Sequence, residues 1–362
     1  MMKTYIEQLA QKLGTLYGAY GYMAYSMSKF EEYELYLRNK DFLISDRVRT
    51  FTDTDGKLMA LKPDVTLSLI KNTRDSVDLQ KLYYRENVYR PGSSTQGFRE
   101  IMQVGLECMG NVDNYQILEV ILLAVQSLQA VSDRCVLDIS HMGLLSGLLD
   151  RCGVADNSKE KVLAAIGSKN AHEVRALCEA CGADSAPLEK LAKLSGKSAD
   201  VMSELLKLFA DDPEFADFRQ LMEALEQTPA ANCINIDFSV VNDMRYYNGI
   251  AFRGFVEGIP DGILAGGQYD TLMTKMGRKA KAIGFALYPD DLERIAAQPE
   301  TDNSTVLFYD RNAPLQAVAA AVTELVSQGL NVSAKPVGSK VQPGTKMYML
   351  AENGLKEVAQ NA

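Results

Sequence analysis

Histidine is scarce in this chain of 362 residues, which contains only His141 and His172. His141 follows the strand-like residues 135–140, which favours a structural role, and His172 lies in a polar helical stretch. With so few histidines, no Ser-His-Asp, Cys-His or metallohydrolase constellation can be assembled. Any chemistry must therefore come from carboxylates, arginines and tyrosines, and we expect no metal site.

Long hydrophobic runs are also absent. The most apolar helical stretch, residues 117–128, is too short to span a membrane and carries Glu119 and Gln126. The N-terminus soon meets Glu7 and lacks the continuous apolar core of a signal peptide. With 47% hydrophobic and 23% charged residues, the composition is that of a soluble globular protein, and the length suggests two or three domains. We expect a cytoplasmic protein.

An excess of positive charge is missing as well. Lysine and arginine total 38 against 47 aspartates and glutamates, so the net charge is −9. Because proteins that grip long nucleic acids normally need a basic face, this balance argues against RNA binding, although a local basic patch stays open.

The six cysteines do not form a recognisable metal motif. Cys178 and Cys181 make a Cys-x-x-Cys, but no second Cys or His pair follows at zinc spacing. Buried thiols are the favoured interpretation, and metal or redox chemistry is the alternative.

The chain reads as a mixed α+β protein. Periodicity predicts helices over 3–19 and 114–131, a new helix starting at residues 63–64, a hairpin over 49–62 with its turn at 55–56, and strands over 82–89, 101–109 and 134–140. Residues 155–228 contain helix formers and nothing that reads as a strand, which predicts a helical insertion.

Strands resume at 233–238, 249–256 and 282–288, and interleaving of this kind favours a mainly antiparallel sheet over a doubly wound one. A polar stretch at 299–304 reads as a linker. The last part then predicts strand 305–309, helix 313–328 and strands 331–335 and 346–350. We therefore expect one domain over 1–295, with the insertion at about 155–228, and a small α/β domain over 303–362.

The most unusual segment runs from Tyr84 to Glu107. On a strand, Gln103 and Glu107 share one face and Gly105 leaves space between them. A carboxylate and an amide flanking a gap suit an ammonium group and a polar ring, and Arg90 on the paired strand could bind a carboxylate. The alternative is an exposed polar face with surface ion pairs.

Two further motifs are weak when taken singly. One is Arg-Tyr-Tyr-Asn-Gly-Ile-Ala-Phe at 245–252, where Tyr246 and Tyr247 would more often pack in a core than contact a ligand. The other is Gly-Gly-Gln-Tyr-Asp at 266–270, followed by Gly-Phe-Ala-Leu at 284–287. The paired glycines permit either a close backbone approach to a ligand or a tight bend, and a Gly-Gly pair is usually only a turn.

Taken together with Lys-Pro-Asp-Val-Thr at 62–66, these motifs in this order resemble the catalytic core of histidyl-tRNA synthetase over about residues 1–295. The resemblance implies a class II synthetase-like fold, an antiparallel sheet flanked by helices. It also implies a histidine-binding pocket formed by Asp64, Thr66, Arg90, Gln103, Glu107, Tyr246 and Tyr247.

The departures from the synthetase pattern concern ATP. Asn242 stands where the synthetases have an arginine, Gln268 replaces another, and Asp291 lies where the third class II motif presents one. After Arg90, the expected acidic residue and Arg-Pro-Gln give way to Pro-Gly-Ser-Ser-Thr. Each change removes a positive charge or ligand that would handle triphosphate. We therefore expect no catalytic residues and no cofactor.

A histidine pocket kept without ATP machinery is similar to the regulatory subunits of ATP phosphoribosyltransferase. That resemblance implies a non-catalytic protein that partners a short catalytic subunit in the first step of histidine biosynthesis. It further implies dimers within a hetero-octamer, allosteric feedback inhibition by histidine, a C-terminal piece reduced from the anticodon-binding domain, no tRNA and no membrane. The alternatives are a working histidyl-tRNA synthetase and a free-standing histidine-binding paralogue.

Overall fold

A computed structural model describes residues 2–43, 47–91, 97–241, 246–294, 304–341, 346–351 and 354–358. The chain divides into two compact units, Met1–Ile295 and Ala296–Ala362. The helices are α1 (Met2–Ala19), α2 (Tyr33–Arg38), α3 (Val65–Asn72), α4 (Asn114–Gln129), α5 (Met142–Arg151), α6 (Asp156–Gly167), α7 (Ala171–Cys181), α8 (Ala186–Lys193), α9 (Ser198–Phe209), α10 (Pro213–Glu226), α11 (Asp270–Lys275) and α12 (Leu315–Ser327). The strands are β1 (Met23–Ala24), β2 (Phe30–Glu32), β3 (Thr50–Thr52), β4 (Leu58–Leu61), β5 (Gln80–Pro91), β6 (Phe98–Gly110), β7 (Cys135–His141), β8 (Ser195–Gly196), β9 (Ile234–Asp237), β10 (Ile250–Val256), β11 (Leu264–Gln268), β12 (Lys281–Leu287), β13 (Ser304–Tyr309), β14 (Asn331–Pro336), β15 (Lys346–Ala351) and β16 (Gly354–Val358).

A nine-stranded sheet forms the centre of the first unit, in the order β1-β5-β6-β12-β11-β10-β7-β9-β8. Its neighbours are antiparallel except for the pairs β1·β5 and β7·β9. The predicted mainly antiparallel sheet is therefore confirmed. None of the helices in the described ranges is both long enough and apolar enough to cross a membrane.

The two faces of the large sheet differ in character. On one face, Leu106 of β6 and Phe285 of β12 lie opposite each other within the main hydrophobic core. On the other face, Glu107 lies opposite Gly284, and Gly284 lies opposite Gly267. Because side chains alternate along a strand, this row of glycines leaves an open floor beside Glu107.

Helix α4 covers the hydrophobic face, and its sequence explains where it begins. The Asp113 carboxylate accepts hydrogen bonds from the N–H groups of Tyr115 and Gln116, and the Gln116 side chain accepts one from the Asp113 N–H. This reciprocal cap satisfies donors that the first helical turn leaves unpaired. Apolar residues along the rest of α4 then pack into the core.

A strand over 264–268 was not predicted. Gly266 and Gly267 lie within β11 and not in a turn. A Cβ atom added at Gly266 would come within 2.7 Å of Phe252 Cε2 and 2.5 Å of Phe285 Cβ, so the glycine permits close packing between strands. Of the two interpretations of this pair, a tight bend is therefore wrong.

The segment 155–228 contains α6 to α10 as predicted, but the expectation that it holds no strand is wrong. Ser195 and Gly196 form β8, which pairs with β9 at the edge of the large sheet. Two residues are too few to show a periodicity of two in the sequence. Phe209 and Phe218 from this segment pack beside Phe238 in the main core, so the helices share the core of the sheet.

A three-stranded sheet, β2-β4-β3, accompanies the large one, and its β3–β4 hairpin confirms the predicted turn at 55–56. In the second unit, α12 packs Ala321 and Leu325 against Leu307 of a four-stranded sheet, β14-β13-β15-β16. Strand β16 was not predicted. Residues 295–303, which include most of the predicted linker, lie outside the described ranges.

Two expectations about single side chains can be compared with the structure. His141 is buried and caps α5, since its Nδ1 atom accepts a hydrogen bond from the Leu144 N–H at 3.2 Å. Cys178 is buried and Cys181 is half-buried, and both are free thiols. These placements agree with structural roles for both types of residue.

Candidate functional site

A cavity of about 220 Å³ opens over the glycine floor of the large sheet. It is lined by side chains from α3, β5, β6 and the segments around β11 and β12. The structure brings all the sequence-predicted site residues to this cavity: Asp64, Thr66, Arg90, Gln103, Glu107, Tyr246 and Tyr247.

The start of α3 positions two of these residues. Asp64 has extended backbone angles and its carboxylate accepts a hydrogen bond from the Leu67 N–H at 2.9 Å, so it caps the helix. Thr66 then lies in the first turn, where its Oγ1 atom donates to Glu107 Oε1 at 3.2 Å. The predicted helix start at residues 63–64 is thus also a wall of the cavity.

The antiparallel strands β5 and β6 supply further lining residues. Gln103 and Glu107 share the cavity face of β6, as the alternation predicts. The space over Gly105 is not empty, however, because a Cβ atom there would lie 2.6 Å from the Tyr84 hydroxyl oxygen. Tyr84, which the sequence reasoning did not assign to the site, therefore stands between the amide and the carboxylate.

Glu107 is the most deeply buried charged group of the site, with 2% of its surface exposed. It accepts hydrogen bonds from Thr66 and from the Tyr269 hydroxyl, the latter at 2.7 Å. Burial raises the pKa of Glu107 to about 8, and nearby Asp64 adds to this effect, while the two hydroxyl bonds oppose it. The Glu107 carboxyl therefore holds a proton at neutral pH when no cation is beside it.

Asp64 has a related electrostatic environment. Burial raises its pKa above the ordinary aspartate value, against the backbone N–H of Leu67 and the positive charges of Arg90 and Lys62. Arg90 is held by a hydrogen bond from its Nε atom to the Pro63 carbonyl oxygen at 3.0 Å. Among the described residues that line the cavity, Arg90 is the one cation facing two carboxyl groups. Full ionisation of both carboxyl groups would therefore leave one negative charge without a partner among these lining residues.

Aromatic rings enclose these polar groups. The ring centroids of Tyr246 and Tyr247 lie 4.7 Å apart, and Tyr246 also lies 6.0 Å from Tyr269 and 6.2 Å from Phe42. Burial holds the pKa values of Tyr246, Tyr247 and Tyr269 well above the ordinary tyrosine value, so these phenols stay neutral. Tyr246 and Tyr247 thus combine the two roles considered from the sequence, since they pack against hydrophobic neighbours and also line the cavity.

Several lining residues were missed by sequence reasoning. Tyr269 and Gly284 belong to motifs that the sequence singled out, so their positions were visible although their roles were not. The same holds for Tyr84, Phe285 and Ala286, which lie in the quoted motifs. The rest carry no local signal of a site: Phe42, Leu43, Ala265 and Tyr288. A Cβ atom at Gly284 would collide with the Glu107 carboxylate and the Leu106 carbonyl oxygen, so this glycine is required for the cavity.

Gln268, a position that handles ATP in the resemblance, and Asp290, the residue before Asp291, both make main-chain contacts. Gln268 Oε1 accepts a hydrogen bond from the Ile250 N–H at 2.8 Å. In the segment after Gly-Phe-Ala, Asp290 Oδ2 accepts one from the Met102 N–H, also at 2.8 Å. Asn242 and residues 92–96, where the resemblance gives further departures, lie outside the described residues.

The sequence matches the histidyl-tRNA synthetase family over residues 2–292. The ATP phosphoribosyltransferase regulatory subunit of Clostridium kluyveri is 28% identical over 84% of this chain and 80% of that protein. A Bacillus halodurans structure described as an ATP phosphoribosyltransferase regulatory subunit/histidyl-tRNA synthetase superposes with a TM-score of 0.76 at 22% identity, covering 94% of this chain and 90% of that one. A chain of the ATP phosphoribosyltransferase complex from Thermotoga maritima gives a TM-score of 0.61 at 20% identity over 78% of this chain and 96% of that one. These structures confirm the class II synthetase-like fold.

Proposed function

The chain belongs to the histidyl-tRNA synthetase family, and within that family we propose that it is the non-catalytic regulatory subunit of ATP phosphoribosyltransferase. One observation carries this proposal. All seven residues that the resemblance assigns to an amino-acid pocket line the cavity, whereas Gln268, at a position where the resemblance expects an arginine for ATP, makes a main-chain hydrogen bond. The similarity to curated regulatory subunits points the same way.

The ligand that fits the cavity is histidine. Glu107 is buried and Asp64 is half-buried, and a cationic ligand would stabilise both carboxyl groups in their ionised form. Arg90 offers a guanidinium to the ligand carboxylate, and the neutral phenols of Tyr246 and Tyr247 offer π faces and hydroxyl groups to an imidazole ring. Gln103 and Thr66 complete the set with polar groups.

The partner is the short catalytic subunit of ATP phosphoribosyltransferase, in a hetero-octamer that contains dimers of this chain in the cytoplasm. The similarity to a chain of the Thermotoga maritima complex supports the partnership, and the hetero-octamer and its dimers are what the resemblance implies. Feedback inhibition requires that histidine bind two states of the complex with different affinity, so the cavity must differ between those states. The cavity described above is the effector site of this proposal.

Aminoacylation is lost in this proposal. Adenylate formation needs preorganised positive charge at the phosphates. Neither Gln268 nor Asp290 supplies it, and Arg90 is the one cation among the described lining residues. A working synthetase, the competing hypothesis, requires histidine-dependent exchange of pyrophosphate with ATP.

The test is phosphoribosyl-ATP formation by the short catalytic subunit of the same organism, with and without this chain. We expect activity to depend on this chain and to fall when histidine is added. Glu107→Gln should weaken the inhibition, while Glu189→Gln, at an ion pair remote from the cavity, should leave it unchanged. Unchanged rates in the presence of the chain would refute the proposal, and pyrophosphate exchange would then separate a synthetase from a free-standing histidine-binding paralogue.

A further inference from the structure

Residues 39–43 form a short segment, here called the strap, that contributes to the lining of the cavity. It contains the 3-10 turn Lys40–Phe42, and Phe42 and Leu43 both line the cavity. Phe42 is only 6% exposed, and its ring meets that of Tyr246 edge-on. The strap is held internally by two hydrogen bonds of 3.0 Å, from the Phe42 N–H to the Asn39 carbonyl and from the Leu43 N–H to the Lys40 carbonyl.

Lys275, the last residue of α11, contacts this strap although it lies more than 230 positions later in the sequence. Its Nζ atom lies 3.0 Å from Asp41 Oδ2 and 4.7 Å from the centroid of the Phe42 ring. One ammonium group thus makes an ion pair and a cation–π contact with adjacent residues of the strap. Both contacts favour the position of Phe42 over the cavity.

The other end of α11 is fixed to the cavity floor. The Tyr269 hydroxyl donates to Glu107 at 2.7 Å, directly before the helix starts. Asp270 accepts a hydrogen bond from the Ala282 N–H, and its own N–H donates to Asn248 Oδ1, both at 2.8 Å. At 1.5 Å per residue, the six residues of α11 span about 9 Å, so the helix joins the floor to the strap.

We infer that Lys275 is a positioning residue that closes the cavity, since it holds Phe42 and Leu43 over a ligand bound at Glu107. The inference rests on the proposed function for the identity of that ligand, histidine. A ligand beside Glu107 and the strap above it are connected through Tyr269, α11 and Lys275. Loss of the Lys275 contacts therefore opens the mouth of the cavity without changing the groups that bind the ligand.

The test compares Lys275→Met, which keeps the length of the side chain but loses its charge, with Lys275→Arg, which keeps both contacts. In the ligand-free chain, we expect Lys275→Met to increase hydrogen exchange at the Phe42 and Leu43 amides, and Lys275→Arg to restore protection. In the presence of histidine, the dissociation rate should rise about fivefold in Lys275→Met, the combined effect of one exposed ion pair and one cation–π contact. The association rate should change less.

Lys57→Met is the matched control. Like Lys275, Lys57 forms exposed ion pairs, in its case with Glu32 and Asp55. Lys57 is not among the residues that line the cavity. Unchanged exchange at Phe42 and Leu43 in Lys275→Met, or an equal increase in Lys57→Met, would overturn the inference. If the chain bound no histidine, that result would count against the proposed function. Hydrogen exchange is measured without ligand, so it would still decide whether Lys275 holds the strap.

Discussion

The buried carboxyl of Glu107 makes the stability of this protein depend on pH in a direction that can be measured. An ordinary glutamate titrates near 4.5, and burial raises the pKa of Glu107 to about 8 in the folded chain. Between these values the folded state keeps a proton that the unfolded state has released. The contribution of protonated Glu107 to the free energy of unfolding is therefore fully present below pH 4.5. It is lost as the pH rises towards and through 8.

The substitution Glu107→Gln removes this titration. Glutamine keeps nearly the same volume and can still make hydrogen bonds with the hydroxyl groups of Tyr269 and Thr66. At 1.36 kcal/mol per pKa unit, and with titration only partial near pH 5 and pH 8, the variant should gain about 3–4 kcal/mol over the wild-type chain between these two pH values. Any effect of the substitution that does not depend on pH is the same at pH 5 and pH 8, so it drops out of the change in this difference.

Urea unfolding of both proteins at pH 5, 6, 7 and 8 gives the free energies of unfolding. Glu189→Gln serves as the control, because Arg175 holds the pKa of Glu189 down to about 2, and this carboxylate stays ionised over the whole range. A difference between Glu107→Gln and wild type that stays constant from pH 5 to pH 8 would show that Glu107 is ionised in the folded chain. The electrostatic argument for a cationic ligand would then fail.

Three further outcomes follow from the same geometry. Histidine binding should release a proton from Glu107 below pH 8, so the affinity for histidine should rise as the pH approaches 8. Calorimetry at pH 7 should then give different binding heats in phosphate and Tris, and equal heats would contradict this. Gly284→Ala should weaken histidine binding by more than tenfold because its Cβ displaces the Glu107 carboxylate, whereas Gly18→Ala, at an open position on α1, should leave binding intact in the same titration. Arg278→Met should lower the free energy of unfolding by about 1–2 kcal/mol, since the Arg278 guanidinium donates to three carbonyl oxygens at the end of α3, and an unchanged urea midpoint would refute that capping role.

The parts of the fold that depend on local periodicity could be predicted from the sequence. Asp64 signals the start of α3, because an aspartate suits the N-cap position that the structure gives it. The alternation along β6 placed Gln103 and Glu107 on one face for the same local reason. These two elements already contribute much of the candidate site.

The remaining features depend on which strands become neighbours. Tyr84 fills the space over Gly105 because β5 pairs with β6 in one register, which single-strand alternation does not reveal. The two glycines of β11 resembled a turn because the residues that crowd them are distant in sequence: Phe252 and Phe285 beside Gly266, and Tyr247 beside Gly267. The contact between Lys275 and Asp41 joins residues 234 positions apart, and no local pattern marks either of them.

The crowding of tyrosines at the cavity has an optical consequence. The chain contains 17 tyrosines and no tryptophan, so tyrosine emission is not transferred to indole rings as it is in most proteins. The cavity is lined by Tyr84, Tyr246, Tyr247, Tyr269 and Tyr288. A ligand that contacts these phenols changes the intrinsic ultraviolet emission of the unlabelled protein. The native chain therefore carries its own reporter of occupancy, and it can be read inside a larger assembly whose partners also lack tryptophan.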